Sequence, residues 1–124
     1  MKQQKHLKQE IIVTPCASLP CPLKRGTNAT LSVKFEIPED SEKLMAKMGI
    51  IVGGLRLSVP KFDANLCGGY GVTCPVTKGT HYRYNYTIAI GDDYPIFTTT
   101  LRLMAKDDQQ NMVFCFKVPI SFVD

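Results

Sequence analysis

The sequence predicts an all-β domain, a β-sandwich of about seven antiparallel strands. Three observations carry that prediction. Apolar residues recur at every second position over successive segments. They nowhere recur convincingly at the 3.6-residue spacing of a helix. Clusters of Gly, Pro, Asp and Asn separate the runs.

The elements follow in order. Glu10–Thr14 is the first strand. It runs into PCASLPCP, residues 15–22, whose three prolines leave no room for a helix. Leu31, Val33, Phe35 and Ile37 then face inward, with Ser32, Lys34 and Glu36 outward, and Pro38-Glu39-Asp40 ends the run. Leu44, Ala46, Met48 and Ile50 share the next face, with Lys47 opposite. Gly53-Gly54 marks a bulge or kink, after which Leu55, Leu57 and Val59 resume the alternation around Arg56 and Ser58. The clearest strand sets Tyr82, Tyr84, Tyr86, Ile88 and Ile90 against Arg83, Asn85 and Thr87. Gly91–Pro95 is a turn, and Phe97, Thr99, Leu101 and Leu103 follow it. A second turn, Lys106–Asn111, leads to Met112, Phe114, Phe116, Val118 and Ile120, all inward, with Cys115 on the opposite face.

The chain has 124 residues, 44% hydrophobic and 21% charged, which suits one domain with a single core. Residues 1–9 are a basic terminus, with three lysines and one histidine in the first eight positions, read as solvated and frayed; residues 10–124 are the folded domain. The net charge of +4 is a mild excess. No basic stripe with interleaved aromatics suggests nucleic acid. The longest apolar run, Met48–Leu55, is broken by three glycines and is too short to span a bilayer.

Five cysteines and two sequons, Asn28-Ala-Thr30 and Asn85-Tyr-Thr87, suit a secreted glycoprotein. No apolar stretch follows the first lysines, so no signal peptide is visible, and the expectation is a secreted protein whose leader lies outside this sequence.

CGGYGVTCP, residues 67–75, admits three chemistries: a metal clip, a phosphate cradle or a stapled loop. Zinc clips place two to four residues between paired thiols, whereas Cys67 and Cys74 are separated by six. A phosphate loop needs a Lys-Ser/Thr and a following helix, and neither follows Gly69-Tyr70-Gly71. No metal and no cofactor is expected. His81 falls on an outward register, and Asp92-Asp93 are adjacent in a turn rather than flanking a bond, so no catalytic residue is assigned and the protein reads as a non-enzyme. The disulfide reading fits both short Pro- or Gly-rich loops, each staple contributing roughly 2–3 kcal/mol by chain entropy.

The order PCASLPCPLKRG, GGLRLSVPKFDANLCGGYGVTCPVTKG, YRYNYTIAI, YP and VFCFKVPI resembles the ML-domain lipid-recognition family over roughly residues 10–122. The resemblance implies an immunoglobulin-like sandwich with a lipid cavity between its sheets. It implies the pairs Cys16–Cys21 and Cys67–Cys74. The family's third bridge would join Cys115 to a cysteine at or just before Met1; none is present, which leaves Cys115 unpaired.

The inward faces are apolar and uncharged, which alone fits a solid core better than a cavity, since interiors are close-packed. The resemblance favours the cavity. It places Val59, Ile90 and Tyr94 at the mouth and wall. Phe35, Met48, Tyr84, Tyr86, Phe97, Leu101, Phe114 and Phe116 complete the expected lining. The family's sterol carrier has an aromatic residue at the position of Val59. Valine widens the entrance, so a fatty acid or another hydrophobic molecule fits as well as a sterol.

The function implied is non-enzymatic carriage, of the kind used in cholesterol transport, by a secreted or lysosomal/endosomal monomer. The alternatives are a lipid-presenting receptor accessory, a semiochemical-binding protein in innate immunity or chemical communication, and a plain sandwich with a filled core. Lys24, Lys61, Lys78 and Arg25 are candidates for docking on an anionic membrane or a lipid-accepting membrane protein, or are ordinary solvated surface.

Overall fold

Nine strands form two facing sheets in a computed structural model that describes residues 2–6, 9–59 and 62–124. The strands are β1 (Lys2–His6), β2 (Gln9–Thr14), β3 (Cys21–Lys24), β4 (Asn28–Glu36), β5 (Leu44–Val52), β6 (Leu55–Ser58), β7 (His81–Ala89), β8 (Thr98–Asp107) and β9 (Met112–Val123). The smaller sheet has the order β1-β2-β4-β7 and the larger β3-β9-β8-β5-β6. All pairings are antiparallel except β3 with β9.

Two strands exceed the expected set of about seven. The terminus read as frayed forms β1, which pairs with β2 and occupies hydrogen-bonding groups that an edge strand would leave open. The second, β3, follows the Pro-rich loop. The chain leaves the smaller sheet at Thr14, turns within the Cys16–Cys21 staple and joins the larger sheet beside β9.

The alternation sets the inward faces as expected. In the larger sheet the inward rungs are Ala46–Ala105–Phe114, Met48–Leu103–Phe116 and Ile50–Leu101–Val118. In the smaller sheet Val33 pairs with Tyr84, Leu31 with Tyr86, and Phe35 with Tyr82. These residues, with Ile11 and Val13, make one core between the layers.

Three local expectations are corrected. Gly53-Gly54 is no bulge: both have positive φ, 58° and 83°, and they form the two-residue turn of the β5–β6 hairpin, a conformation that favours glycine. Leu55 and Leu57 do not face a core. β6 is the free edge of the larger sheet, and all four of its residues are exposed. Met112 is turned outward, 46% exposed, because the register slips beside Ala105 and Lys106, so that Val113 and Phe114 are both buried.

Candidate functional site

The space between the sheets is built differently at its two ends. At the end marked by Phe35 and Phe114 the layers touch: the rings lie 5.1 Å apart, and Phe114 meets Phe116 at 5.8 Å. Ile37, Leu44, Ala105 and Val113 are all buried here. Turns seal this end. The Asp107 carboxylate accepts the backbone N–H groups of Gln109 at 2.9 Å and Asn111 at 2.8 Å, and Ser41 is tied by backbone bonds to Val76. Among the described residues Ser41 and Asp107 are the buried polar or charged residues, so the interior itself is uncharged.

The other end is looser. Val52, Val59, Tyr86, Ile88, Tyr94 and Phe97 pack against the core but are only partly buried. Small Ala29 stands opposite Ile88 where, three rungs away, Phe35 stands opposite Tyr82. Tyr94 stacks on Phe122 at 4.7 Å, and Phe97 lies 5.5 Å from the same ring. Phe122 thus joins two expected site residues, yet sequence reasoning stopped the inward series at Ile120. Continuing the period-two count by one step would have found it.

The turn carrying Tyr94 is held by Arg25. Its guanidinium donates to the carbonyls of Asp92 at 3.0 Å and Tyr94 at 2.9 Å, and to the Asp124 carboxylate at 2.6 Å. Arg25 therefore braces the loose end. Ile90 is tied in from the same side, its carbonyl accepting the Gly26 N–H at 2.7 Å. Of the three residues expected at the mouth, Ile90 is buried, whereas Val59 and Tyr94 are half-buried. Lys78 pairs with Glu39 at 3.7 Å, Lys24 is exposed, and Lys61 lies outside the described residues.

The long segment 62–76 closes the seam between β7 and β5. Ala46 N–H donates to Ala64 and Leu66 N–H to Leu44 on one side, while Asn85 N–H donates to Tyr70 on the other. The Cys67–Cys74 disulfide, with Cα atoms 5.7 Å apart, holds this flap, and Cys16–Cys21 spans 4.9 Å. Those two bridges take up four of the five thiols. Cys115 is free and half-buried. Gly71 shows why the loop needs glycine: its φ is +100°, and a Cβ would collide with the Arg83 carbonyl oxygen.

The flap delivers two rings that sequence reasoning missed. Tyr70 lies 5.9 Å from Tyr84 and 5.1 Å from Tyr86, and Phe62 lies 5.0 Å from Tyr86. An aromatic among small residues in CGGYGVTCP was the available signal. The Tyr70 hydroxyl donates to Asp63 Oδ2 at 2.7 Å, a bond that holds the Asp63 carboxyl below its ordinary range and pushes the Tyr70 phenol up to about 12. Asp63 N–H in turn donates to the Tyr86 hydroxyl at 3.2 Å. Tyr84 differs. Its hydroxyl is buried without a hydrogen-bond partner among the described residues, and burial pushes its pKa up. A buried orphan hydroxyl is uncommon and calls for an explanation.

Both sequon asparagines, Asn28 and Asn85, are exposed. His81 is exposed on the outer side of β7.

Comparison with known proteins agrees with this architecture. The family model of the ML domain matches residues 2–122. The NPC intracellular cholesterol transporter 2 of Mus musculus is 27% identical over 112 residues, 90% of this chain and 74% of that protein. The mite group 2 allergen Eur m 2 of Euroglyphus maynei is 31% identical over 83 residues, 66% of this chain and 56% of that protein. Among solved structures, a Niemann-Pick type C2 protein from the Japanese carpenter ant superposes with a TM-score of 0.83 at 20% identity, covering 91% of this chain and 89% of that one. Chicken MD-1 complexed with lipid IVa gives 0.60 at 17% identity, covering 98% and 96%. These two likenesses show the fold: the immunoglobulin-like sandwich. With its model matched along residues 2–122, the chain belongs to the ML-domain family.

Proposed function

We propose that the protein is a non-enzymatic carrier of a hydrophobic small molecule, a sterol, a fatty acid or a similar lipid, held between the sheets. The observation that carries this reading is the gradient of burial in an uncharged interior, closed at Phe35–Phe114 and half-exposed at Val59, Tyr94 and Phe97. Met48, Tyr84, Tyr86, Leu101 and Phe116 line the path between them, with Ile90 behind the rim. The partnerless Tyr84 hydroxyl supports the reading, because a guest carrying a hydroxyl or carboxyl could satisfy it. So does the family, one of whose members is named a cholesterol transporter.

The driving force is ordinary. A guest that buries about 400 Å² of apolar surface gains about 10 kcal/mol of gross transfer free energy. Lost motion and ordering remove a large part, leaving micromolar or tighter affinity. Release follows when the rim spreads against a membrane or an accepting protein. The setting that fits is extracellular or endosomal, with glycans on exposed Asn28 and Asn85 and the protein acting as a monomer.

Equilibrium titration of delipidated protein with dehydroergosterol and with cis-parinaric acid tests the reading. Saturable one-to-one binding of at least one probe is expected. Absence of saturable binding by both contradicts the carrier reading.

A further inference from the structure

The outer face of the larger sheet holds a concavity with different chemistry. Alternation places Lys47, Gly49 and Ile51 of β5 on this face, beside Arg102 and Met104 of β8. One rung runs Ser58–Gly49–Arg102–Lys117 across four strands. Gly49 contributes no side chain, and the dent it leaves is a groove of about 330 Å³. That volume is at the low end of the small-molecule range.

Four cations line the groove, Lys47, Arg56, Arg102 and Lys117, and among the described residues no carboxylate lines it. Arg102 Nε is buried and has no hydrogen-bond partner among the described residues. Arg102 sits opposite Lys117 in register. An anion placed over Gly49 can accept from Arg102. Charge-assisted bonds of this kind are among the stronger ones in proteins. The rest of the wall is apolar, including Ile51, Leu57 and Met104, with Ile51 and Leu57 exposed to solvent.

We infer that this groove is a second binding site, for an amphiphile with an oxyanion head. The phosphate, sulfate or carboxylate sits among Lys47, Arg56 and Arg102, and a short apolar segment lies along Ile51 and Leu57. The site is on the opposite face of the sheet from the interior and does not depend on the carrier reading. The same head chemistry is offered by a free amphiphile and by an anionic phospholipid in a membrane.

Octyl phosphate below its micellar concentration is the probe, followed by amide chemical shifts of the whole chain. Saturable shifts are expected at residues 47–51, 56–58 and 100–104. Arg102→Gln and Lys47→Gln each weaken binding at least about tenfold, while Arg102→Lys retains much of it. Lys34→Gln, on the outer face of the other sheet, leaves it unchanged. Octanol, which lacks the anion, does not shift these amides. Lys47 is exposed, so its variant carries the test should Arg102→Gln fail to fold. A second arm uses phosphatidylcholine vesicles with and without phosphatidylglycerol. Charge-dependent co-sedimentation that Lys47→Gln abolishes identifies a membrane headgroup as the source, and octyl phosphate binding without co-sedimentation identifies a free amphiphile. Shifts confined to interior residues such as Tyr84 and Phe116, no saturation at the groove, or equal affinity in wild type and both Gln variants overturns the inference.

Discussion

The two ends of the interior share one alternating pattern and differ in what that pattern achieves. At the closed end Phe35, Phe114 and Phe116 are at most 1% exposed, and Phe35 touches Phe114 across the layers. At the open end Tyr86, Ile88, Tyr94 and Phe97 face the same way and remain half-buried. Periodicity decides which side of a strand is apolar. It does not decide how closely two sheets approach. Side-chain volume, here Phe35 against Ala29, and the loops that seal or brace an end decide that.

The contrast can be broken most forcefully at the closed end. Phe114→Ala removes a ring from a filled layer and is expected to lower stability by about 3–5 kcal/mol in urea denaturation. A loss below about 1 kcal/mol would mean the closed end is no better packed than the open one. Next in size is the flap. Replacing Cys67 and Cys74 with serine is expected to cost about 2–3 kcal/mol, by the entropy of closing a short loop. It also frees the segment that seals the β7–β5 seam, so bound probe should exchange faster in stopped-flow displacement; unchanged exchange would mean the flap takes no part in retention.

A rim substitution should show the opposite balance. Val59→Asp adds a charge at a half-exposed position and is expected to shift stability by less than about 1 kcal/mol. Probe affinity should fall at least tenfold, roughly 1.4 kcal/mol or more, because bound guest would desolvate the carboxylate. Equal loss of stability and affinity would make Val59 a core residue and remove the distinction between the ends.

The smallest effect concerns the flap's latch. The hydrogen bond from Tyr70 holds the Asp63 carboxyl below its ordinary value of 3.8. A depressed carboxyl pKa stabilises the fold above its unfolded value and loses that contribution as pH falls through the folded one. The latch is therefore intact at neutral and endosomal pH and yields only below the usual carboxylate range. Acid titration comparing wild type with Tyr70→Phe checks it: the two should differ at pH 5 and converge in stronger acid. Convergence already at pH 5 would place the Asp63 pKa too high for this account.

Much of the fold was legible because β4, β5 and most of β8 alternate with one buried face. The inward sets Leu31–Ile37 and Leu44–Ile50 are buried residue for residue. What escaped was non-local. β1 forms because β2 presents an open edge, a fact absent from MKQQKHLK itself. β6 reads as half-buried by its leucines and is exposed because no strand covers that edge. Met112 follows the alternation on paper until a register slip opposite Ala105 turns it out. The aromatic content of the interior was legible, but the contributions of Tyr70 and Phe62 depended on where the flap folds back. Arg25 looked like surface charge, and only the meeting of the Asp92–Tyr94 turn with the C-terminal Asp124 shows it to be a brace.

The most direct test of the central claim is where a guest sits. In protein loaded with 13C-labelled oleate, filtered nuclear Overhauser spectra should connect the acyl chain to Tyr86, Phe97 and Leu101, with the deepest contacts near Phe116. Contacts restricted to outer-face residues such as Ile51 and Met104, or none at all, would contradict a carrier that holds its guest between the sheets.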